Sequence, residues 1–228
     1  MSHEEILKEA LEEHEDHKPK STISKVLLSL FLVLLMVMFI VPIYSIKFDP
    51  MPKNIPTLAD VVTEFKEVNN SIVIGSKQDY YKLLNPSNSL VKQIAVKIAT
   101  ESCDSLTGRG KLCQAKAIYY FVRDNIKYVS DPVRDEYVET AEEVLITGGS
   151  DCDGMAILLA NLESAIGLPT KFAFVPGHVF IWVYLEDAPK KYYTDKKNNY
   201  GWIALDATCK HCKFGEIPSD NKGKEVIV

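Results

Sequence analysis

Cysteine is scarce, with five in 228 residues. That is too few for a disulfide-scaffold miniprotein, and the odd count leaves one thiol with a job of its own. A basic excess is also missing. The formal charge of -5 and a pI near 5.6 argue against a dedicated nucleic-acid binder, whose surface carries a basic patch or stripe. No internal repeat and no low-complexity tract are legible, which sets repeat architectures aside. What is present, 46% hydrophobic and 25% charged residues, is ordinary globular composition and excludes a wholly disordered chain or a polytopic membrane protein. The length fits one domain with appendages.

These averages hide an uneven chain. Residues 1–25 form a polar tail in which Glu4, Glu5, Glu9, Glu12, Glu13, Glu15 and Asp16 face Lys8, Lys18, Lys20 and Lys25. Ile6, Ala10 and Leu11 hint at a short helix, but the stripe is too thin to define a core. Residues 26–46, Val26 to Ile46, carry no charge. As a helix this run would span about 31 Å, the thickness of a hydrocarbon core. It is longer than the apolar stretch of a cleavable leader, and no small-x-small cleavage pattern follows it. The expectation is one retained transmembrane helix, with Pro42 near its end, where a freed carbonyl is easiest to satisfy. Lys18, Lys20 and Lys25 before it outnumber Lys47 and Lys53 after it. The positive-inside rule then sets the N-terminus in the cytoplasm and the main domain outside, by a margin of one charge. Residues 47–56, with Pro50, Pro52 and Pro56, read as an extended stalk. Residues 57–228 are long enough to bury one sizeable core.

That domain begins helical. Leu58, Val61, Val62 and Phe65 recur at helical spacing. The recurrence is clearer for Leu90, Val91, Ile94, Ala95 and Ile98, and again for Ala115, Ile118, Tyr119, Val122 and Ile126. Thr140-Ala-Glu-Glu143 is a capping box. Ala156, Leu159, Ala160, Leu162 and Ile166 form a buried helix closed by Gly167 and Pro169. Beyond Thr170 the pattern turns to strand: Lys171 to Val175, His178 to Leu185 and Gly201 to Leu205, with a Pro176-Gly177 turn between the first two. The Lys-rich stretch 187–199 reads as a flexible hairpin loop. Helices first and strands last define an α+β domain with an antiparallel sheet.

Three short segments carry the chemistry. In Gly148-Gly-Ser-Asp-Cys152-Asp-Gly a cysteine opens an apolar helix directly after a glycine turn, with Ser150 or Asp151 as N-cap. Free N–H groups and the helix dipole favour a thiolate there, and the same groups can donate to an oxyanion. Gly177-His178-Val-Phe-Ile-Trp182 opens one strand with a histidine, and Trp202-Ile-Ala-Leu-Asp206 closes another with an acid. Singly, each has a bland reading: a buried structural cysteine, an edge histidine, a turn-capping aspartate. Together they supply a nucleophile, a base and a group that fixes the base's tautomer.

Gly-x-Asp-Cys152-Asp-Gly, Gly-His178-Val-Phe-Ile-Trp and Trp202-Ile-Ala-Leu-Asp206-Ala-Thr, in that order, resemble the transglutaminase-like superfamily of papain-type thiol enzymes. Ile126-Lys-Tyr128-Val-Ser-Asp131 and Ala141-Glu-Glu-Val-Leu145 are similar to it as well, so the resemblance covers roughly residues 90 to 215. It implies a catalytic triad of Cys152, His178 and Asp206, acyl transfer through a thioester, and a core in which the thiol helix packs on an antiparallel sheet. The superfamily includes crosslinking enzymes, peptidases, deamidases, peptide N-glycanases and inactive scaffolds. This chain lacks the accessory β-domains of the animal crosslinking members, and no calcium loop is legible. It looks more like the compact microbial and archaeal members, so a peptidase or amidase acting on a peptide or protein leads. Amine transfer and a silent binding module stand behind it. No cofactor is called for. Tyr128 is a weak candidate for a side-chain oxyanion donor, with core packing as its plainer role.

Cys103, Cys113, Cys209 and Cys212 remain. They can form two disulfides, which suits an oxidising exterior, or one four-thiolate zinc site. A redox CxxC fits less well, because no helix pattern follows Cys209, and free thiols are the remaining alternative. Tyr192, Tyr193 and Tyr200 are candidates to line a substrate cleft, with a solvated hairpin tip as the plainer reading.

Overall fold

The computed structural model describes residues 22–62, 76–103, 110–131, 137–194 and 200–228. Most of the polar tail, Phe65 and loop residues 195–199 lie outside them. The chain divides into two compact units, Met1–Ser45 and Ile46–Val228. The first contains most of α1 (Thr22–Phe48), 27 residues long. Over Ile23–Ile40 it is long and apolar enough to cross a membrane, as an anchor or a signal sequence would be. Its apolar side chains there are largely exposed, Leu27 and Phe31 among them.

The second unit is the α+β domain. Its helices are α2 (Leu58–Val61), α3 (Ser89–Ser102), α4 (Gly110–Asn125), α5 (Ala141–Thr147) and α6 (Cys152–Ala165). A 3-10 helix at Lys77–Leu83 precedes α3. Helix starts follow the expected chemistry. Asn88 caps α3 by accepting from the N–H groups of Leu90 and Val91. At α5 the Thr140 N–H donates to Glu143 Oε2 at 2.7 Å while the Glu143 N–H donates to Thr140 Oγ1 at 3.3 Å. Gly148 ends α5 at φ 68°, a left-handed position that glycine takes without a Cβ penalty.

Strands β1 (Lys127–Tyr128) and β2 (Gly149–Ser150) pair in parallel, Tyr128 opposite Ser150. This short ladder pins the loop that leads into α6. The main sheet is antiparallel, in the order β3 (Thr170–Val175), β4 (His178–Tyr184), β5 (Trp202–Leu205). Gly177 turns β3 into β4 at φ 72°. Ile181 faces Leu205 across the second pairing.

Side chains alternate across the sheet. Phe172, Phe174, Val179, Ile181, Val183, Ile203 and Leu205 face the helices and join the main core with Ile94, Ile98, Ile118, Phe121, Leu158 and Leu162. Ala173, Val175, Phe180, Trp182 and Ala204 form a second, smaller cluster with Trp202, Ile217 and Val226. The α6 helix is the hub, with ten buried residues from Gly154 to Glu163. Such a helix is apolar on nearly every side because helices α3, α4 and α5 and the sheet surround it.

All four other cysteines are bridged, Cys103 to Cys113 and Cys209 to Cys212. The first bridge ties the end of α3 to α4. With both pairs oxidised, no thiolate quartet is left to hold zinc.

Candidate active site

Cys152 is the first residue of α6, and its thiol is the free one. As first residue it keeps a backbone N–H without an intrahelical acceptor. Of the two candidate caps, Asp151 takes the role, accepting from the Asp153 N–H at 2.9 Å. Ser150 instead donates to Glu139 Oε2 at 2.9 Å. Gly154 makes this tight approach possible. A Cβ there would meet Ser150 Oγ at 2.1 Å and Glu139 Oε2 at 2.8 Å.

His178 opens β4, and Asp206 follows β5 directly. β4 and β5 pair in antiparallel register, which brings the start of one beside the end of the other. His178 Nε2 lies 2.6 Å from Asp206 Oδ2. Asp206 is 1% exposed. Its other oxygen accepts from the Thr208 hydroxyl at 2.6 Å and the Thr208 N–H at 3.1 Å. With four acceptor sites used by three donors, this carboxylate is fixed, and it fixes the imidazole. Nδ1 is left as the nitrogen free to face a thiol. The Cys152 sulfur accepts from the backbone N–H of Val179, the residue next to His178. The head of α6 thus lies beside the start of β4, the strand end that carries the His178–Asp206 pair.

The electrostatics depart from the expected thiolate. Burial pushes the Cys152 thiol up to about 12, and the Asp153 and Asp151 carboxylates add to it, while the Val179 N–H pulls the other way. The thiol lies 3.5 Å from Asp153 Oδ1, an acceptor for its proton. Desolvation and two flanking acids outweigh the helix N-terminus here. Burial and the Asp153 charge likewise lift Asp151 to about 6. Burial and the flanking acids thus favour the protonated thiol over the thiolate that a helix N-terminus favours. Asp151, Cys152 and Asp153 bring their ligand atoms within 4.8 Å of one another, so they are the described residues that could hold a cation.

Tyr128 is not a core residue. It is 50% exposed on β1 and lies near enough for Cys152 to raise its hydroxyl pKa, after burial, the larger cause. The other tyrosines are engaged elsewhere: Tyr192 donates to Asp49 at 2.9 Å, Tyr193 donates to the Glu186 carbonyl at 2.5 Å, and Tyr200 packs edge-on against Tyr193. Three supporting residues escape a reading of the sequence. Tyr80 hydrogen-bonds Asp153, Glu139 holds Ser150, and Tyr119 donates to the Asp206 carbonyl at 3.4 Å. Each comes from a distant segment with no motif. Thr208 was findable, since Asp-x-Thr is a turn in which the acid bonds two residues on.

A thiol at the head of a buried helix, against an antiparallel sheet bearing an imidazole–carboxylate pair, is the frame of a papain-type fold. The chain belongs to the transglutaminase-like superfamily, whose family model matches residues 68–207. Among solved structures, it is similar to a candidate cysteine protease from Cytophaga hutchinsonii, at 19% identity and a TM-score of 0.38, over 60% of this chain and 43% of that one. It thus spans less than half of the Cytophaga protein. LapG of Legionella pneumophila is also similar, at 16% identity and a TM-score of 0.40, over 66% of this chain and 81% of LapG. A calcium-bound LapG structure gives a TM-score of 0.37. No curated protein matches the sequence.

Proposed function

We propose that this protein is a membrane-anchored cysteine hydrolase that cleaves a peptide or isopeptide bond through a thioester on Cys152. The observation that carries the reading is the 2.6 Å contact of His178 Nε2 with Asp206 Oδ2, which leaves Nδ1 to act on a thiol seated beside Val179. Because burial and Asp153 keep that thiol protonated, His178 acts as a general base at the moment of attack. The S–H proton passes to His178 Nδ1 as the sulfur bonds the carbonyl carbon. The backbone N–H of Cys152 stabilises the oxyanion, with the Tyr128 hydroxyl as a second donor. His178 then protonates the leaving nitrogen as the C–N bond breaks. Water attacks the thioester, returns a proton through His178, and frees the thiol and a carboxylic acid. Asp206 holds the tautomer and stabilises the imidazolium throughout.

Membership in the superfamily supports a protein substrate, and the apolar helix supports an anchor. The two disulfides favour a domain outside the cytoplasm, with the N-terminus inside. The test is hydrolysis of a peptide library by the full chain in detergent, wild type beside Cys152→Ala. Hydrolysis that disappears in the variant is the expected result. A Cys152→Ala protein that cleaves as well as wild type would remove the proposal. Incorporation of a labelled primary amine in place of hydrolysis would move the assignment to amine transfer.

A further inference from the structure

Lys116, midway along α4, is fully buried, and the catalytic scheme has no use for it. Its ammonium bonds the Asp49 carboxylate, the Pro50 carbonyl at 3.1 Å and Met51 Sδ at 3.5 Å, and sits 5.0 Å from the centre of the Tyr192 ring. Asp49 is held further by Lys191 at 2.5 Å and by the Tyr192 hydroxyl at 2.9 Å. The rest of the proline-rich stretch is fastened as well. Pro50 and Pro56 are buried, and Ile55 packs on the core. The Lys53 N–H donates to the Ser102 carbonyl at 2.8 Å, and the Leu58 N–H donates to Asn125 Oδ1 at 2.9 Å. The segment expected to be a stalk is a strap laid along the domain.

A buried lysine is a poor device for stability, since an apolar residue of similar volume does as well or better. Its use is to fix one partner in one place, and here the partner is the residue that directly follows α1. The last uncharged residue of the apolar run is Ile46, so at most about 10 Å of chain separates it from Asp49. A domain of this size has a radius of gyration near 16 Å, hence a width of about 40 Å. Whatever orientation the domain takes, its thiol stays within about 50 Å of the bilayer. A free stalk of the same residues would add some 25 Å or more.

We propose that the Asp49–Lys116 strap shortens the tether between α1 and the domain, so that the thiol acts on polypeptide bonds within about 50 Å of the bilayer. This rests on the anchor and the thiol site proposed above.

The test is a ruler experiment on the full chain in liposomes. Iodoacetamide is fixed to phospholipid headgroups through discrete polyethylene glycol spacers, and alkylation of Cys152 is read by mass spectrometry. The other four cysteines are bridged, so labelling reports on one thiol. Two variants are compared with wild type. One carries a Gly/Ser insertion of about 20 residues between Phe48 and Asp49, which keeps the strap and lengthens the tether by about 25 Å on average. The other carries Asp49→Asn with Lys116→Met, which releases the strap without leaving a buried charge. Wild type should label with spacers that reach about 50 Å or less. Half-labelling should move to longer spacers in both variants. A strap-release variant that labels like wild type while the insertion shifts would overturn the inference, as would a wild type that needs far longer spacers. Free iodoacetamide is run in parallel. If it fails to alkylate Cys152 in folded protein, the thiol site falls, and if the chain leaves the vesicles cut before Asp49, the anchor falls and the inference with it.

Discussion

Gly154→Ala should damage the site through one added methyl group. Gly154 is buried in the first turn of α6, and the new Cβ would stand 2.1 Å from Ser150 Oγ, 2.8 Å from Glu139 Oε2 and 3.0 Å from Val144 Cγ2. Ser150 is 1% exposed and has nowhere to go without giving up its 2.9 Å bond to Glu139. Overpacking costs about 1–3 kcal/mol, and a lost hydrogen bond to an acidic group about 1.5–3 kcal/mol. Alanine returns about 1 kcal/mol of helix propensity. The net is a loss of about 2–4 kcal/mol, or a fall in Tm of roughly 5–15 °C for a domain of this size. Thermal unfolding in detergent can be followed by the fluorescence of Trp182 and Trp202, both in the main sheet. Adding Ser150→Ala removes the clashing oxygen, so the double variant should be more stable than Gly154→Ala alone. A Gly154→Ala protein that melts at or above the wild-type temperature would refute the packing argument. So would a second substitution that simply adds its own loss.

Two further outcomes follow from acids on α6. Asp153→Asn removes the second-largest cause of the raised Cys152 thiol, so alkylation by free iodoacetamide at pH 8 should quicken several-fold. Burial, the larger cause, should still keep the rate below that of an exposed cysteine, and an unchanged rate would show that the flanking charge is irrelevant. Glu163 is fully buried, neither carboxylate oxygen has a partner, and burial holds its carboxyl well above the usual range despite Lys111 nearby. With the folded value raised, its contribution to stability is complete below the unfolded value and is lost as pH rises through the folded one. Glu163→Gln should therefore be favoured over wild type increasingly as pH rises, in melts run from pH 4 to 9, whereas parallel curves would contradict this.

Much of the site could be read from residue order because its logic is local. A cysteine after a glycine turn becomes the head of α6, and antiparallel pairing of β4 with β5 brings His178 to Asp206. The apolar stripe of Val91, Ile94 and Ile98 gives α3 its buried side, and the Thr140–Glu143 box starts α5. What the sequence hid depends on distance. The dipole argument for a thiolate is opposed by Asp151 and Asp153, visible on either side of Cys152, which gain their force only once the site is buried. The strap is hidden for the same reason. Lys116 has the look of a solvated helix residue, and nothing near it announces Asp49, 67 positions earlier. Tyr192 reads as a loop aromatic until Asp49 and Phe214 are found against it.

The central claim is that Cys152, His178 and Asp206 act as one unit. The direct measurement is the mass of the full chain after brief exposure to a peptide thioester-forming acyl probe, with the adduct located by fragmentation, in wild type, His178→Ala and Asp206→Asn. A single acyl group on Cys152 in wild type, lost in His178→Ala and strongly slowed in Asp206→Asn, is the predicted result. Equal acylation in all three proteins, or an adduct on another residue, would contradict it.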